Sequence, residues 1–285
     1  MNLMDNVFKN KTVVRCLLFI AVLSVLGWLY RLVLWRTICS FNDPLGNMSH
    51  GWLVSLISIH ALWRHITQLK EAEKSYSLIG ALGIIVALFL FQIGNEHSML
   101  WLLQLSFIWF LWSLTFFLWG WKTAKITLFP IWYLAFAISI PVVIEDLILS
   151  LQKISSTAAF YLMHGFGFEI FQQGSALLSN IEGSEFQFEI AGACSGIRSL
   201  IALTAFTTAY AWYTQKTVFR KWLLFACSIP IAILCNIIRV FSICLVAVIF
   251  GQDAAVGYYH DYSGYVIVLL LILLIFFFGD NLKNI

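Results

Sequence analysis

Residues 191–200 read AGACSGIRSL, a run of small residues carrying Cys194 and, four positions later, Arg198. The apolar periodicity that follows makes this the opening of a helix. Backbone N–H groups at a helix N-terminus favour negative charge. A nearby guanidinium adds to that, and both effects raise the thiolate fraction of a cysteine. Farther along, CNIIRV sets Asn236 and Arg239 three residues apart, on one face of a helix. YYHDYSG then supplies His260, a residue type that titrates near neutrality and serves as a general base. Asp261 adjoins it, but adjacent side chains often point apart, so the two are not read as a dyad. Near the other end of the chain His50 lies in SHG, with Asp43 before it, and competes with His260 for the same role. A thiolate, an imidazole and a guanidinium together suit acyl transfer. The thiolate attacks a carbonyl, the imidazole handles protons, and the arginine stabilises the oxyanion or holds a polar group of the substrate. Taken singly, each residue has a plainer explanation: a small residue at a helix start, an arginine that snorkels, a histidine at an interface.

The elements that must position these residues are apolar throughout. The chain has 285 residues, 61% of them hydrophobic and 11% charged, with a mean hydropathy of +0.89. Soluble domains carry about 25% charged residues, so this is a polytopic membrane composition. The net charge of +3 is too small and too dispersed for nucleic acid binding. A helix needs about 20 apolar residues to cross the hydrocarbon core. Segments 13–34, 51–68, 76–94, 98–120, 126–141, 196–213, 222–250 and 262–279 meet or approach that length. The expected fold is therefore all-α, with about eight transmembrane helices. The second segment is interrupted by His60, Arg64 and His65, and the fifth is short, bounded by Pro130 and Pro141. The first is too long for the h-region of a signal peptide, roughly 7–15 residues, and no small-residue cleavage site ends it. It reads as an uncleaved span. Of the six cysteines, Cys16, Cys227, Cys235 and Cys244 lie in apolar runs and read as small buried hydrophobes. With Cys39 and Cys194 they form no disulfide framework and no zinc-ligand spacing. No cofactor or metal is expected.

Basic residues set the sidedness. With the N-terminus in the cytoplasm, Lys9, Lys11, Arg15, Arg64, Lys70, Lys74, Lys122, Lys125, Lys216, Arg220, Lys221 and Lys283 fall inside. Arg31, Arg36, Lys153, Arg198 and Arg239 fall outside, which makes twelve of the 17 basic residues internal. Cys194, His260 and His50 then share the outer face. So do His97 and His164, which lack supporting neighbours; His60 and His65 fall toward the cytoplasm. Tyr258 and Tyr259 read as interfacial anchors. At about 25 Å along the seventh span, at 1.5 Å per residue, Arg239 reaches the depth expected for Cys194. The long outer segment 142–195 predicts an amphipathic helix. Ile144, Leu147, Ile148, Leu151, Ile154, Ala158 and Leu162 form its apolar stripe, and Asp146, Ser150, Lys153 and Thr157 its polar one. It lies along the membrane surface or packs across the bundle. Period-two alternation in 185–190 predicts a strand, with 176–181 as its partner in a small hairpin that delivers the chain to Cys194.

ACSGIRSL, the later N-x-x-R of CNIIRV, the histidine before the last span and the early SHG together resemble the exosortase/archaeosortase family. The likeness runs from about residue 40 to 279 with the motifs in order. It implies a membrane cysteine transpeptidase or protease of the PEP-CTERM type. Cys194 would be the nucleophile, Arg239 the stabilising arginine and His260 the base, with Arg198, Asn236 and His50 in support. Its partners would be exported proteins ending in a short motif, a transmembrane helix and a basic tail. These are cut at the outer face of the inner membrane and passed to an acceptor, such as an extracellular polysaccharide or lipid, or to water. The expectation is one integral membrane domain over 1–285, with N-terminal spans in 13–141, an outer helix and hairpin in 142–193, and catalytic spans in 194–279. Three other readings compete: an intramembrane serine protease using Ser195, a transporter or scaffold in which the arginines are structural, and a catalytically silent relative.

Overall fold

The computed structural model describes residues 11–42, 48, 50–72, 75–138, 145–179, 186–189, 197–255, 259, 262, 269, 272–273 and 275–280. They fall in two compact units, Met1–Ser139 and Ile140–Ile285.

The first unit is helical. Its elements are α1 (Lys11–Asn42), α2 (Gly51–Arg64), α3 (Ile66–Glu71), α4 (Leu78–Glu96) and α5 (Leu100–Tyr133), followed by a 3-10 turn, Leu134–Ala137. The second expected span is thus two helices in sequence. α2 ends at His65, whose φ of −95° and ψ of 9° leave the helical region, and α3 resumes at once. The fourth and fifth expected spans are two arms of α5, joined without a loop. Gly120 interrupts the helix with φ 79° and ψ −176°, a conformation essentially restricted to glycine. An unbroken helix would hold Trp109 and Trp132 about 35 Å apart. Their ring centroids lie 5.4 Å apart, so the chain doubles back at Gly120. Trp112 Nε1 seals the two arms by donating to the Ala124 carbonyl at 2.9 Å. The core of this unit forms around Tyr30, which is fully buried against Phe91, Phe107 and Phe110 and bonds through its hydroxyl to Ser106 at 3.2 Å. The outward surface of α4 carries Leu82, Ile85 and Phe89, all exposed, as a lipid-facing helix requires.

The second unit contains α6 (Glu145–Gly165), β1 (Phe171–Gln173), β2 (Ala176–Ser179), β3 (Phe186–Glu189), α7 (Ile197–Thr214), α8 (Val218–Phe250) and the short α9 (Gln252–Ala254); residues 275–280 are again helical. The strands form one antiparallel sheet in the order β1-β2-β3, with Leu177 opposite Gln172 on one side and Phe188 on the other. The expected hairpin is present as β2–β3. β1 is an addition that alternation did not reveal, because Phe171-Gln172-Gln173 is too short and polar to show a period. Fully buried Leu177 anchors the sheet in a core with Ala159 and Met163 of α6 and Val240, Ile243, Cys244 and Ala247 of α8. A second core joins Leu203 of α7, Ala232 and Cys235 of α8, and Ile275. Cys235 and Cys244 are buried in these cores, as expected, while Cys227 is half-buried.

Among the described residues three helices are long and apolar enough to cross a membrane: α4, α5 with its 3-10 extension (Leu100–Ala137), and α8. They cover the third, fourth, fifth and seventh expected spans. The chain is a helical membrane protein with a small sheet.

Candidate active site

α8 carries two of the candidate residues, and its buried stripe explains their direction. Leu224, Ser228, Ala232, Cys235, Asn236, Arg239, Val240, Ile243, Cys244 and Ala247 recur at helical spacing and turn inward. Asn236 and Arg239 are therefore buried, at 4% and 9% exposure, in a helix that is otherwise apolar. A charge at such a position is costly and faces a partner or a cavity.

The Asn236 amide donates to Ser155 Oγ of α6 at 2.9 Å, across 81 residues of sequence. Ser155 belongs to a polar seam. Gln152, Ser155 and Ser156 are all buried on the face of α6 that continues into Ala159 and Met163. Gln172 of β1 shares its amide hydrogens among Ser156 Oγ (3.1 Å), Thr157 Oγ1 (2.9 Å) and the Gly174 carbonyl (2.9 Å). The strands are thus tied to the same seam.

The sequence left open whether α6 lies along the membrane surface or packs across the bundle. The helix packs against α8. The apolar stripe does not mark its buried face, however. Leu151 is buried, but Ile154 is 50% and Leu162 41% exposed, whereas the serines and Gln152 face inward. The cause is the solvent. Against lipid tails an outward leucine loses nothing, while small residues let two helices approach and polar ones hydrogen-bond between them.

Arg198 lies in the first turn of α7; its side chain, with Cys194, Ser195 and His260, lies outside the described residues. α7 and α8 are joined by the short link 215–217 and share the Leu203–Ala232–Cys235 core, so they run antiparallel. Arg198 is 16 residues from the C-terminal end of α7, and Asn236 is 18 residues into α8. At 1.5 Å per residue these distances are about 24 and 27 Å from the link. The first turn of α7 and the Asn236–Arg239 turn of α8 therefore share one end of the helix pair. β3 reaches that pair too, touching α8 and α9 just ahead of the segment that leads to α7.

His50 sits in the first unit, half-buried, directly ahead of α2. Its Nε2 is 2.9 Å from the Phe136 carbonyl, which only accepts, so the proton is on Nε2 and the ring ties α2 to the 3-10 turn. The other histidines are plainer. His164 stacks on Phe160, His65 bonds Gln68, and His97 ends α4.

Sequence reasoning found Asn236 and Arg239 but not Ser155, Gln152 or Gln172. A signal existed: Gln152, Ser155, Ser156 and Ala159 form a stripe of small and polar residues at helical spacing, which marks a helix interface in a membrane.

The sequence profile of the transmembrane exosortase family matches residues 43–277, a range that holds His50, Cys194, Arg198, Asn236, Arg239 and His260. No curated protein and no solved structure matches the chain.

Proposed function

The chain belongs to the transmembrane exosortase family, a family of membrane cysteine peptidases and transpeptidases that process the sorting signals of exported proteins, and on that premise we propose that Cys194, Arg239 and His260 form its catalytic centre. The observation that carries this reading is the burial of Arg239 beside Asn236 on α8, at the end of the helix pair where α7 begins. Cys194 stands three residues ahead of Ile197, the first residue of α7.

The chemistry follows from the groups. The Cys194 thiolate attacks the carbonyl carbon of the scissile peptide bond, and the oxyanion that forms is stabilised by the Arg239 guanidinium. His260, protonated, gives its proton to the leaving amine as the C–N bond breaks, which leaves a thioester on Cys194 and releases the C-terminal helix and tail. The neutral imidazole then takes a proton from an acceptor nucleophile or from water, which attacks the thioester and regenerates the thiolate. Arg198 supports the thiolate, and Asn236 orients the Arg239 face of α8. The substrate's own transmembrane helix, held in the bilayer beside the bundle, brings its motif to the outer interface. That turns an encounter into a positioned reaction. The enzyme lies in the inner membrane with both termini cytoplasmic and this site outside, acting over one integral domain, 1–285.

The test is a chromosomal Cys194→Ala replacement in the native host, read by mass spectrometry of the C-terminal peptides of membrane and released proteins. Proteins with a motif–helix–basic tail should keep their tails only in the mutant. If Cys194→Ala leaves processing intact and Ser195→Ala removes it, the nucleophile is the serine. If no C-terminus changes while the variant is made at the normal level, the transporter and silent-relative readings replace the enzyme.

A further inference from the structure

We propose that the outer ends of α1 and α4 form a binding site for the phosphate group of an anionic membrane lipid. Arg31 and Arg36 are two of the five basic residues that the charge pattern leaves outside, and the catalytic reading does not use them. Both line one cavity of about 270 Å³, and its further lining includes Asn95 and Ser98 at the end of α4. Among the described residues no acidic side chain lines it. The nearby Glu96 accepts instead from Gln92 of its own helix at 2.8 Å. Two guanidinium groups, an amide and a hydroxyl therefore line one cavity, with no carboxylate beside them among the described residues. That is a donor set for a multiply accepting anion.

The backbone supplies a second, independent observation. α4 ends with Met99 N–H bonded to the Gly94 carbonyl at 2.8 Å and Ser98 N–H to the Asn95 carbonyl at 3.4 Å. This is the Schellman arrangement, whose left-handed position is usually glycine. Here Ser98 occupies it with φ 55°. A non-glycine residue in that conformation costs roughly 1 kcal/mol or more. The strain keeps a hydroxyl on the cavity wall where glycine would give none.

Depth favours a lipid as the source of the anion. Counted from Val13, where the first apolar run begins, Arg31 and Arg36 lie about 27 and 35 Å along α1. They straddle the outer edge of a hydrocarbon core about 30 Å thick, at headgroup level. Exposed Trp28 and Trp35 mark the same interface, and the Arg31 guanidinium lies 5.0 Å from the centroid of the Trp28 ring. The remaining wall, with Phe91 and Leu32, is apolar and suits the glycerol and upper acyl carbons.

The experiment is native mass spectrometry of the full-length protein released from micelles that mix phosphatidylglycerol and phosphatidylcholine. The wild type should retain phosphatidylglycerol preferentially. Arg31→Gln/Arg36→Gln should lower that retention roughly tenfold or more. Arg31→Lys/Arg36→Lys, with the charge kept, should lose less. Ser98→Gly guards against misfolding: relief of strain should raise the thermal midpoint while retention falls. Equal retention of phosphatidylcholine would overturn the proposal, as would unchanged retention in the arginine variants. Displacement of the lipid by millimolar inorganic phosphate would assign the site to the free anion and remove the lipid from it. Persistence of the lipid under phosphate supports the proposal as stated.

Discussion

Arg239 and the two histidines carry the sharpest consequences at the scale of single residues. If Arg239 stabilises an oxyanion, Arg239→Lys keeps the charge but moves the donors. Processing of sorting signals should then fall by roughly 10²–10³-fold, the cost of one lost oxyanion donor. The amount of protein in the membrane, read by quantitative immunoblot, should stay near wild type; a parallel fall would make the arginine structural. His50 and His260 separate in a similar way. His50 holds the Phe136 carbonyl, so His50→Ala should lower the thermal midpoint and leave measurable processing, while His260→Ala should abolish processing with little loss of stability. Two equally dead enzymes would undo the assignment of the base. Ser155→Ala removes the hydroxyl that accepts from Asn236. It should cost about 0.6–2 kcal/mol in an unfolding titration, the range for polar contacts between membrane helices, and Ser155→Thr should recover most of it. The residues proposed for catalysis stand out in the sequence because their types and order are chemical signals. Ser155 was not, because its partner lies 81 residues away and nothing local in either helix names the other.

At the scale of elements, period and length were legible, and the inward face was not. α6 was visible as a helix from its 3.6-residue period, yet its buried side carries Gln152, Ser155 and Ser156 rather than Ile154 and Leu162. Hydrophobic periodicity finds the buried face only where water is the alternative environment. In lipid the rule weakens, and the stripe of small residues becomes the better guide. The junction at Gly120 was legible as the gap between the fourth and fifth expected spans, but its tightness was not. A single residue makes the reversal, so no polar loop of ordinary length announces it. Gly120 and Gly251 provide a controlled comparison. Both have positive φ, 79° and 90°. A Cβ on Gly120 would stand 2.7 Å from the Ser75 carbonyl oxygen and closer still to its hydroxyl, whereas one on Gly251, at the end of α8, meets nothing within 4 Å. Gly251→Ala should therefore cost only the conformational strain, about 1–3 kcal/mol. Gly120→Ala should cost more, because backbone must move and the α5 hairpin opens. Thermal midpoints of the two variants in one detergent check the order; equal midpoints would mean that the Ser75 contact yields freely.

At the scale of the whole molecule everything functional depends on sidedness. Sorting signals of exported proteins are met on the outer face, so a thiolate there can reach them, while the same thiolate on the cytoplasmic side would face chains not yet exported. With the N-terminus inside, twelve of the 17 basic residues are expected in the cytoplasm and Cys194 is expected outside. This charge bias is independent of fold and family, because lysine and arginine resist translocation. Lys122 and Lys125 follow the reversal at Gly120, so that hairpin tip should lie in the cytoplasm. Gln173, at the exposed β1–β2 turn, should lie outside. Single cysteines at these places, Lys125→Cys and Gln173→Cys, can be introduced into a chain whose six native cysteines are replaced. A membrane-impermeant maleimide added to intact cells should label Gln173→Cys and spare Lys125→Cys, and both should react once the cells are permeabilised. The opposite pattern would invert the molecule and put the Arg239 end of the α7–α8 pair in the cytoplasm. The outer-face chemistry would then lose its substrate, and the lipid site at Arg31 and Arg36 would move to the inner leaflet with it. Labelling at both positions in intact cells would break the link between the two ends of the chain, and the span count between residues 125 and 173 would have to change by one.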